Sequence, residues 1–237
     1  MTDGIEKLGT FIEGFDEVIN GGIPKGHIVV ITGTPGTMKS SLTLYILHNN
    51  MLKNGLKTLY ISVEETRESL LRAKQSLGLA ELDDKKFFIV DVGKLRLEHS
   101  EADEARDWFK ILKEYIARRV KEESFDIVAI DSLTALYSLT EVKNPRQELF
   151  HFFGFLRSLN VTVFLITEAY SEQSTFALFR EDYLADTIFH LKYHQIGDTD
   201  MQLRIRCVKM RHTKIYSGYH TLIYRDNKFI VTRPITE

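Results

Sequence analysis

Apolar, β-branched runs along this chain alternate with segments whose apolar residues recur at helical spacing. This rhythm is typical of a parallel sheet covered by helices, because each crossover between parallel strands needs a helix. The pattern predicts strands at 27–32, 57–63, 86–92, 125–130 and 161–167, and helices at 39–53, from the second strand to 77, at 102–122 and at 146–159.

The rhythm changes after residue 167. Segments 187–194, 201–209, 219–224 and 228–232 are predicted strands with short connections, and Asp226-Asn227 is a hairpin-turn signal between the last two. We therefore predict an α/β fold with a mainly parallel sheet flanked by helices and an antiparallel C-terminal extension. No repeat, low-complexity tract or linker interrupts the sequence, so we expect a single domain over residues 1–237.

Composition and charge narrow the class of protein. The 237 residues are 43% hydrophobic and 27% charged, which is ordinary for a globular protein with a sizeable core. A formal net charge of -2 provides no global basic field of the kind that favours nucleic-acid or membrane binding. The single cysteine, Cys207, can form no internal disulfide and is expected to be buried in a strand. Without an apolar signal region or a run of membrane-spanning length, we expect a cytoplasmic protein with no membrane segment.

The clearest chemical signal follows the first core strand. Between that strand and a predicted helix lie Gly33, Thr34, Pro35, Gly36, Thr37, Met38, Lys39 and Ser40, with Ser41 next. This arrangement matches a phosphate loop, in which small residues let backbone N–H groups surround phosphate oxygens at the positive end of a helix. Lys39 is expected to neutralise the β- and γ-phosphates, and the Ser40 hydroxyl to bind Mg²⁺. The predicted ligands are therefore ATP and Mg²⁺.

One position departs from the phosphate-loop motif. Met38 stands where the last glycine belongs, and a non-glycine residue that adopts a positive φ there costs about 1–2 kcal/mol of strain. The strand, Gly33, Gly36, the lysine, the serine and the helix are all present. The alternative interpretation is a Gly-Pro turn followed by a coincidental lysine.

An aspartate and a glutamate end two other predicted core strands. Asp131 follows the apolar run at 125–130 and is expected to hold Mg²⁺ directly or through water. On its own, an aspartate at a strand end is also typical of a turn or a helix cap. Glu168 follows the strand at 161–167 at the same edge, where ligands bind in open α/β sheets. It is either a sensor of the γ-phosphate or an acid at the start of a loop.

A pair of acids ends the second predicted strand. Glu64 is the preferred base that orients the attacking water, with Glu65 supporting or substituting for it. The alternative is negative charge in the first turn of the next helix, where anions are favoured. The predicted phosphate loop and Asp131 at neighbouring strand ends favour the catalytic interpretation.

These residues resemble the RecA superfamily and, within it, the ATPase domain of the circadian clock KaiC family. The resemblance extends over almost the whole chain. It rests on the lead-in at 9–16 and 20–26, Glu64-Glu65-Thr66, Asp131-Ser132, Asp186-Thr187-Ile188 and, most specifically, Lys209-Met210-Arg211 just after a strand.

The resemblance implies a homo-oligomer, expected to be a hexamer. In rings of the KaiC type, ATP lies between subunits, and a Lys-x-Arg pair reaches the γ-phosphate held by the neighbour. Carried over, Lys209 and Arg211 stabilise charge in trans, an effect of about 4–7 kcal/mol in well-studied phosphoryl transfers. A solvated basic turn is the alternative for this stretch. The resemblance also assigns nucleotide contacts to Met210, and to Ser76, Thr213 and Asp226, which align with residues that border adenine or ribose.

The chain also departs from the KaiC pattern. KaiC carries two such domains in tandem, whereas this chain has one. The adjacent Ser-Thr pair on which its phosphorylation timer depends is replaced by Asp182 and Tyr183. We therefore expect a stand-alone KaiC-like ATPase without that timer, although Tyr183 retains a hydroxyl.

Two loops are candidates for a partner surface, because in RecA-type hexamers the corresponding loops face the central channel. Here they are 136–147 and 170–183. Single-strand binding requires a positive groove interleaved with aromatic rings. Phe176 and Phe179 supply the rings, but the loops' cations Lys143, Arg146 and Arg180 are offset by Glu141, Glu172, Glu181 and Asp182. DNA binding is therefore left open without being favoured, and an unknown protein partner is at least as plausible.

Three hypotheses follow from the sequence. The first is an ATP hydrolase that works as a ring or filament with sites at subunit interfaces. The second is a RecA-type DNA recombination or repair ATPase. The third is a nucleotide sensor or scaffold that hydrolyses ATP very slowly, with self-phosphorylation left open.

Overall fold

A computed structural model describes residues 4–97, 107–139, 144–169 and 181–233. Its first half contains β1 (Lys7–Leu8), α1 (Phe15–Val18), β2 (Ile23–Pro24), β3 (Ile28–Gly33), α2 (Lys39–Asn54), β4 (Thr58–Ser62), α3 (Arg67–Ser76), β5 (Phe87–Asp91) and α4 (Val92–Leu97). The rest contains α5 (Trp108–Glu123), β6 (Ile127–Asp131), α6 (Leu133–Ser138), α7 (Pro145–Ser158), β7 (Thr162–Glu168), α8 (Glu181–Leu184), β8 (Thr187–Ile196), β9 (Asp200–Met210), β10 (His220–Arg225) and β11 (Lys228–Thr232).

Nine of these strands form one sheet, in the order β11-β10-β9-β8-β3-β7-β6-β4-β5. The pairs from β8 to β5 are parallel, and the pairs from β8 to β11 are antiparallel. This confirms the predicted α/β fold with a mainly parallel sheet and an antiparallel C-terminal extension.

The strand β8 belongs to both parts of the sheet. Its residues Thr187 and Leu191 lie beside Val29 and Gly33 of β3 in a parallel pair, while its other edge pairs antiparallel with β9. The sequence grouped this strand with the extension. That grouping was wrong for one of its two edges, because an apolar pattern shows which faces are buried and does not show which neighbour a strand has.

Two hydrophobic cores cover the two faces of the sheet. Val29 and Ile31 pack towards α2 and α3, whereas Ile28 and Val30 pack towards α5 and α7. Consecutive residues of β3 are therefore all buried, which explains the continuous apolar run that precedes the phosphate loop.

Several local features differ from the predicted elements. The helix predicted at 102–122 is α5, which begins after Asp107, whose side chain accepts a hydrogen bond from the backbone N–H of Lys110; residues 98–106 lie outside the described part of the chain. The helix α6, directly after Asp131, was not predicted, and Ser132 caps it by accepting from the N–H of Ala135. The predicted hairpin turn is present, with Asp226 and Asn227 at φ 52° and 59°. No described helix combines the length and the apolar character needed to cross a lipid bilayer.

Candidate active site

The predicted phosphate loop connects the end of β3 to the start of α2. A Cβ atom on Gly33 would lie 2.4 Å from the carbonyl oxygen of Leu191, so only glycine fits where β8 passes. Gly36 has a φ of 80°, which also favours glycine. The Thr37 hydroxyl donates to the Thr34 carbonyl oxygen at 2.7 Å and closes the turn.

Met38 adopts the left-handed conformation, with φ 62° and ψ 25°, immediately before α2. The sequence predicted backbone strain of about 1–2 kcal/mol at Met38 if its φ is positive. Met38 does have a positive φ in the structure. Its half-buried side chain packs against the core beneath α2. The loop therefore has a methionine in a backbone conformation that the motif normally reserves for glycine.

A pocket of about 350 Å³ opens above the loop. It is lined by residues 35–41, together with Glu64, Asp131, Ser132, Ile166 and Glu168. The pairing of the parallel strands brings these residues together. Gly33 of β3 lies beside Glu168 of β7, and Ser62 of β4 lies beside Asp131 of β6, so these four strands end at the same side of the sheet. The residues predicted for phosphate, metal and water thus converge on one concave surface.

Lys39 is the only cationic side chain among the residues that line the pocket. Its ammonium group donates to the Thr34 carbonyl oxygen at 2.9 Å, and the residue is 8% exposed. Burial lowers its pKa, while the negative charges of Glu168, Asp131 and Glu64 oppose that shift. Three carboxylates around one ammonium group leave the pocket with an excess of negative charge, which favours a bound divalent cation.

Asp131 is held where a metal ligand is expected. One of its oxygens accepts a 2.6 Å hydrogen bond from the Tyr60 hydroxyl, and Ser40 donates a further one. Burial raises the pKa of Asp131, and these two hydrogen bonds counteract the rise. Among the described residues no group of three or more His, Cys, Asp or Glu forms a metal cage. Ser40 and Asp131 fit Mg²⁺, because Mg²⁺ takes one or two protein oxygens and fills its shell with water and phosphate.

The structure separates the two glutamates that the sequence left as alternatives. Glu64 lines the pocket, whereas the Glu65 carboxylate turns back and accepts a 2.7 Å hydrogen bond from Ser69 of α3. Burial raises the pKa of Glu64, and the neighbouring Glu168 and Asp131 raise it further. Glu64 is therefore the better placed of the two to act as a base.

Lys209 and Arg211 lie at the end of the sheet where the parallel strands begin, which we call the amino edge. The pocket lies at the end where those strands finish, the carboxyl edge. Met210, between them, pairs with Thr187, which lies beside Val29 near the start of β3. The phosphate loop leaves the other end of β3 at Gly33, which is about 13 Å from Val29 along the strand at ~3.3 Å per residue. These two cations therefore cannot reach the pocket of their own subunit.

The residues assigned to adenine or ribose do not line the phosphate pocket. Ser76 donates to the Ala73 carbonyl oxygen at the end of α3, and Asp226 pairs with Arg225 at 3.4 Å on the hairpin. A Cβ atom on Gly78 would clash with the Asn227 side chain, so the ends of α3 and of the hairpin are in contact. Thr213 lies in the half-exposed connection between β9 and β10. Their nucleotide role remains a prediction.

Two residues near the pocket were not identified from the sequence. Tyr60, inside β4, gives Asp131 a hydrogen bond, and the hydroxyl of Thr134 accepts the N–H of Glu168 at 2.9 Å. A hydroxyl on a fully buried strand needs a polar partner, so Tyr60 carried a weak signal. Thr134 carried none. Of the two candidate partner loops, residues 140–143 and 170–180 lie outside the described part of the chain.

Comparison with known proteins agrees with this geometry. A family model described as "ATPase: KaiC" matches residues 8–236. The circadian clock oscillator protein KaiC 1 of Synechocystis is 30% identical over 222 residues, which are 91% of this chain and 42% of that protein. KaiC of Synechococcus elongatus is 27% identical over 230 residues, 94% of this chain and 43% of that protein. The chain thus spans about two fifths of the length of these curated relatives.

A solved structure supports the fold. The crystal structure of a KaiC-like protein from the hyperthermophilic archaeon Pyrococcus horikoshii superposes with a TM-score of 0.80 at 24% identity. The match covers 96% of this chain and 99% of that chain. The two proteins therefore share the whole fold, including the antiparallel extension.

Proposed function

Since this chain belongs to the KaiC ATPase family and has a RecA-type P-loop ATPase domain, we propose that it hydrolyses ATP with Mg²⁺ at sites shared between neighbouring copies of itself. The observation that carries the shared-site proposal is the separation of two groups of residues. Lys39, Glu64 and Asp131 meet at one edge of the sheet, while Lys209 and Arg211 lie at the other. A second copy supplies the missing cations when its amino edge faces this pocket.

The pocket residues have different roles in phosphoryl transfer. The loop amides and Lys39 hold the β- and γ-phosphates, and Glu64 orients water and accepts its proton. Ser40 and Asp131 hold Mg²⁺, which supplies positive charge for the phosphate oxygens. Lys209 and Arg211 of the adjacent copy stabilise the charge that develops on the transferred group.

The assembly that we propose is a homo-oligomeric ring, expected to be a hexamer, or a filament. The chain acts in it as one KaiC-like domain over residues 1–237, and the proposed setting is the cytoplasm. The nucleotide contacts assigned to Met210, Ser76, Thr213 and Asp226 belong to the same proposal.

Phosphate release by the purified protein tests this function. Turnover should need both ATP and Mg²⁺ and should fall by about 10²–10⁴-fold in Glu64→Gln, which keeps the shape of the side chain and removes the base. Equilibrium binding of a fluorescent ATP analogue should be unchanged in that variant. Light scattering with ATP, ADP and no nucleotide measures the assembly in parallel. Turnover that persists in Glu64→Gln contradicts the proposal.

A second candidate function is a nucleotide sensor or scaffold with little turnover. The left-handed Met38 favours it, because a strained phosphate loop can hold ATP without being optimal for the transition state. ATP binding without phosphate release, coupled to a change in assembly, would support this candidate. Phosphate release that single-stranded DNA does not change separates the first candidate from a DNA recombination ATPase, and release that stays absent when single-stranded DNA is added separates the second.

A further inference from the structure

The short helix α8 directly precedes β8 and contacts both α6 and the two cations at the amino edge. It contacts the cationic pair at its carboxyl end. The Lys209 ammonium group donates to the carbonyl oxygens of Asp182 at 3.0 Å and Tyr183 at 3.4 Å, and the Arg211 guanidinium donates to the Tyr183 oxygen at 3.1 Å. These bonds hold the charged ends of both side chains against α8.

Asp186, two residues after α8, completes the support of Arg211. Its carboxylate accepts from Arg211 and from Arg157 of α7, both at 3.2 Å, and from the backbone N–H of Ile28 at 3.1 Å. Arg157 also donates to the Leu184 carbonyl oxygen. The end of α8 is thus tied to β3, α7 and β9 together.

The amino end of α8 contacts α6. Glu181 is fully buried, and its carboxylate accepts a hydrogen bond from the Tyr137 hydroxyl at the end of α6. The helix α6 begins directly after Asp131 and Ser132 of the pocket, and its Thr134 holds the backbone of Glu168. The bond from Tyr137 to Glu181 therefore joins α6, which follows the pocket residues, to α8, which contacts the cations.

The burial of Glu181 makes this contact specific. A carboxylate removed from water needs a donor, and a hydroxyl donor to a charged acceptor forms a strong hydrogen bond. The ring of Tyr137 is itself fixed, since it stacks on Phe109 of α5 with centroids 6.0 Å apart. Burial and the nearby Glu181 raise the pKa of Tyr137, so the hydroxyl keeps its proton and stays a donor.

We propose that Tyr137 and Glu181 are positioning residues that hold α8 so that Lys209 and Arg211 project correctly towards the pocket of the adjacent subunit. This inference rests on the proposed function, because it gives the two cations a role in trans. It adds that the cations are set by a link from the donating subunit's own pocket, through α6 and α8. Loss of the hydrogen bond from Tyr137 to Glu181 should displace α8 and with it both cations, and a displacement of about 1 Å can reduce turnover by about a hundredfold.

The test uses assemblies mixed from two inactive variants of the full chain. Glu64→Gln subunits keep Lys209 and Arg211 and lack the base, while Arg211→Ala subunits keep the base and lack the Arg211 cation. Mixing the two variants should restore phosphate release, because the intact pocket of an Arg211→Ala subunit can then face the intact cations of a Glu64→Gln subunit. Tyr137→Phe, which removes the hydroxyl and keeps the ring, is then added to one kind at a time.

In the Glu64→Gln subunits, which donate the cations, Tyr137→Phe should lower the restored turnover by about tenfold to a hundredfold. In the Arg211→Ala subunits, which donate the pocket, the same change should lower it by less than about twofold. The affinity for a fluorescent ATP analogue should be unchanged in both arms. Glu181→Gln, which keeps an acceptor oxygen, should retain most of the turnover, and Tyr115→Phe on α5 is the matched control.

The outcomes separate this inference from the proposed function. If the two inactive variants do not restore turnover when mixed, the shared site itself is contradicted. If they do and Tyr137→Phe has no effect, or has the same effect in both arms, the positioning role is overturned and the contact serves only the packing of α8.

Discussion

The two edges of the parallel sheet are built in different ways. At the carboxyl edge, the pocket comes from one continuous loop and from acids that directly follow neighbouring strands. At the amino edge, Lys209 lies in the antiparallel strand β9 and Arg211 directly follows that strand. Both donate to carbonyl oxygens of α8, and Arg211 also donates to Asp186. The first edge carries an excess of carboxylates, whereas the second presents cations. Under the proposed function, each subunit holds both halves of a site but at a distance that only a second copy can bridge.

The largest expected effect comes from disabling either edge. Lys39→Ala removes the buried ammonium group, so nucleotide affinity should fall by about a hundredfold or more and turnover should vanish with it. Arg211→Ala leaves the subunit's own pocket intact, so affinity should hold while turnover falls by about 10³-fold. Analogue binding and phosphate release measure the two effects, with Arg118→Ala on the exposed face of α5 as the control. An Arg211→Ala protein that loses affinity like Lys39→Ala contradicts the separation of the edges.

At the carboxyl edge, substitution of Glu64 and of Glu65 should reduce turnover by different factors, and this difference should be smaller than the effects of Lys39→Ala and Arg211→Ala. Glu65→Gln removes a carboxylate that already bonds to Ser69 outside the pocket, so we expect turnover to fall by less than about tenfold. Glu64→Gln should cost at least ten times more. Phosphate release at saturating ATP makes the comparison. Equal losses would mean that the pair acts as a unit.

The pH dependence of turnover should report the charge around Glu64. A base works when ionised, so kcat/KM should be low below its pKa and rise as pH increases through it. Burial and the nearby carboxylates raise that pKa, so the rise should occur at higher pH than an ordinary glutamate gives. Glu168→Gln removes one negative neighbour and should move the rise to lower pH, by about half a unit. The exposed Glu114→Gln should leave it in place, and a shift to higher pH in Glu168→Gln would be the wrong sign.

The smallest effect concerns the strained phosphate loop. Met38→Gly should relieve about 1–2 kcal/mol of backbone strain. The flexibility of glycine in the unfolded chain offsets about 0.5–1 kcal/mol of this gain. Met38→Gly and Met38→Ala both lose the packing of the methionine side chain, so Met38→Gly should exceed Met38→Ala in the free energy of unfolding by between zero and about 1.5 kcal/mol. Urea unfolding measures this difference, and Met38→Ala, which keeps the backbone strain, should be less stable than the unsubstituted protein.

The carboxyl edge was largely predictable from the sequence because its residues follow strands in short contiguous segments. A glycine-rich turn, a lysine and acids at strand ends retain their order and spacing whatever surrounds them. The same logic predicted the parallel core and the hairpin at Asp226 and Asn227. The sequence did not predict one local element at this edge, the helix α6 that Ser132 caps. Its apolar residues are too few to show a helical period.

The amino edge was not predictable to the same degree. The pairing of β8 with β3 joins residues about 160 positions apart, and no periodic pattern encodes a partner strand. The bond from Tyr137 to Glu181 likewise depends on two elements meeting across the fold. The sequence could point to Lys209 and Arg211 only through resemblance to a family, and it could not show which groups hold them.

The side chain of Met38 has a consequence for ligand design. Phosphate loops that follow the usual motif carry a hydrogen atom where this protein has a thioether side chain, which packs against the core and belongs to a residue of the pocket lining. A polarisable, flexible group of this kind makes favourable contacts with aromatic rings. An ATP-competitive compound with a small aryl substituent near the β-phosphate position should therefore discriminate this protein from ATPases with glycine there, and Met38→Gly should abolish that preference.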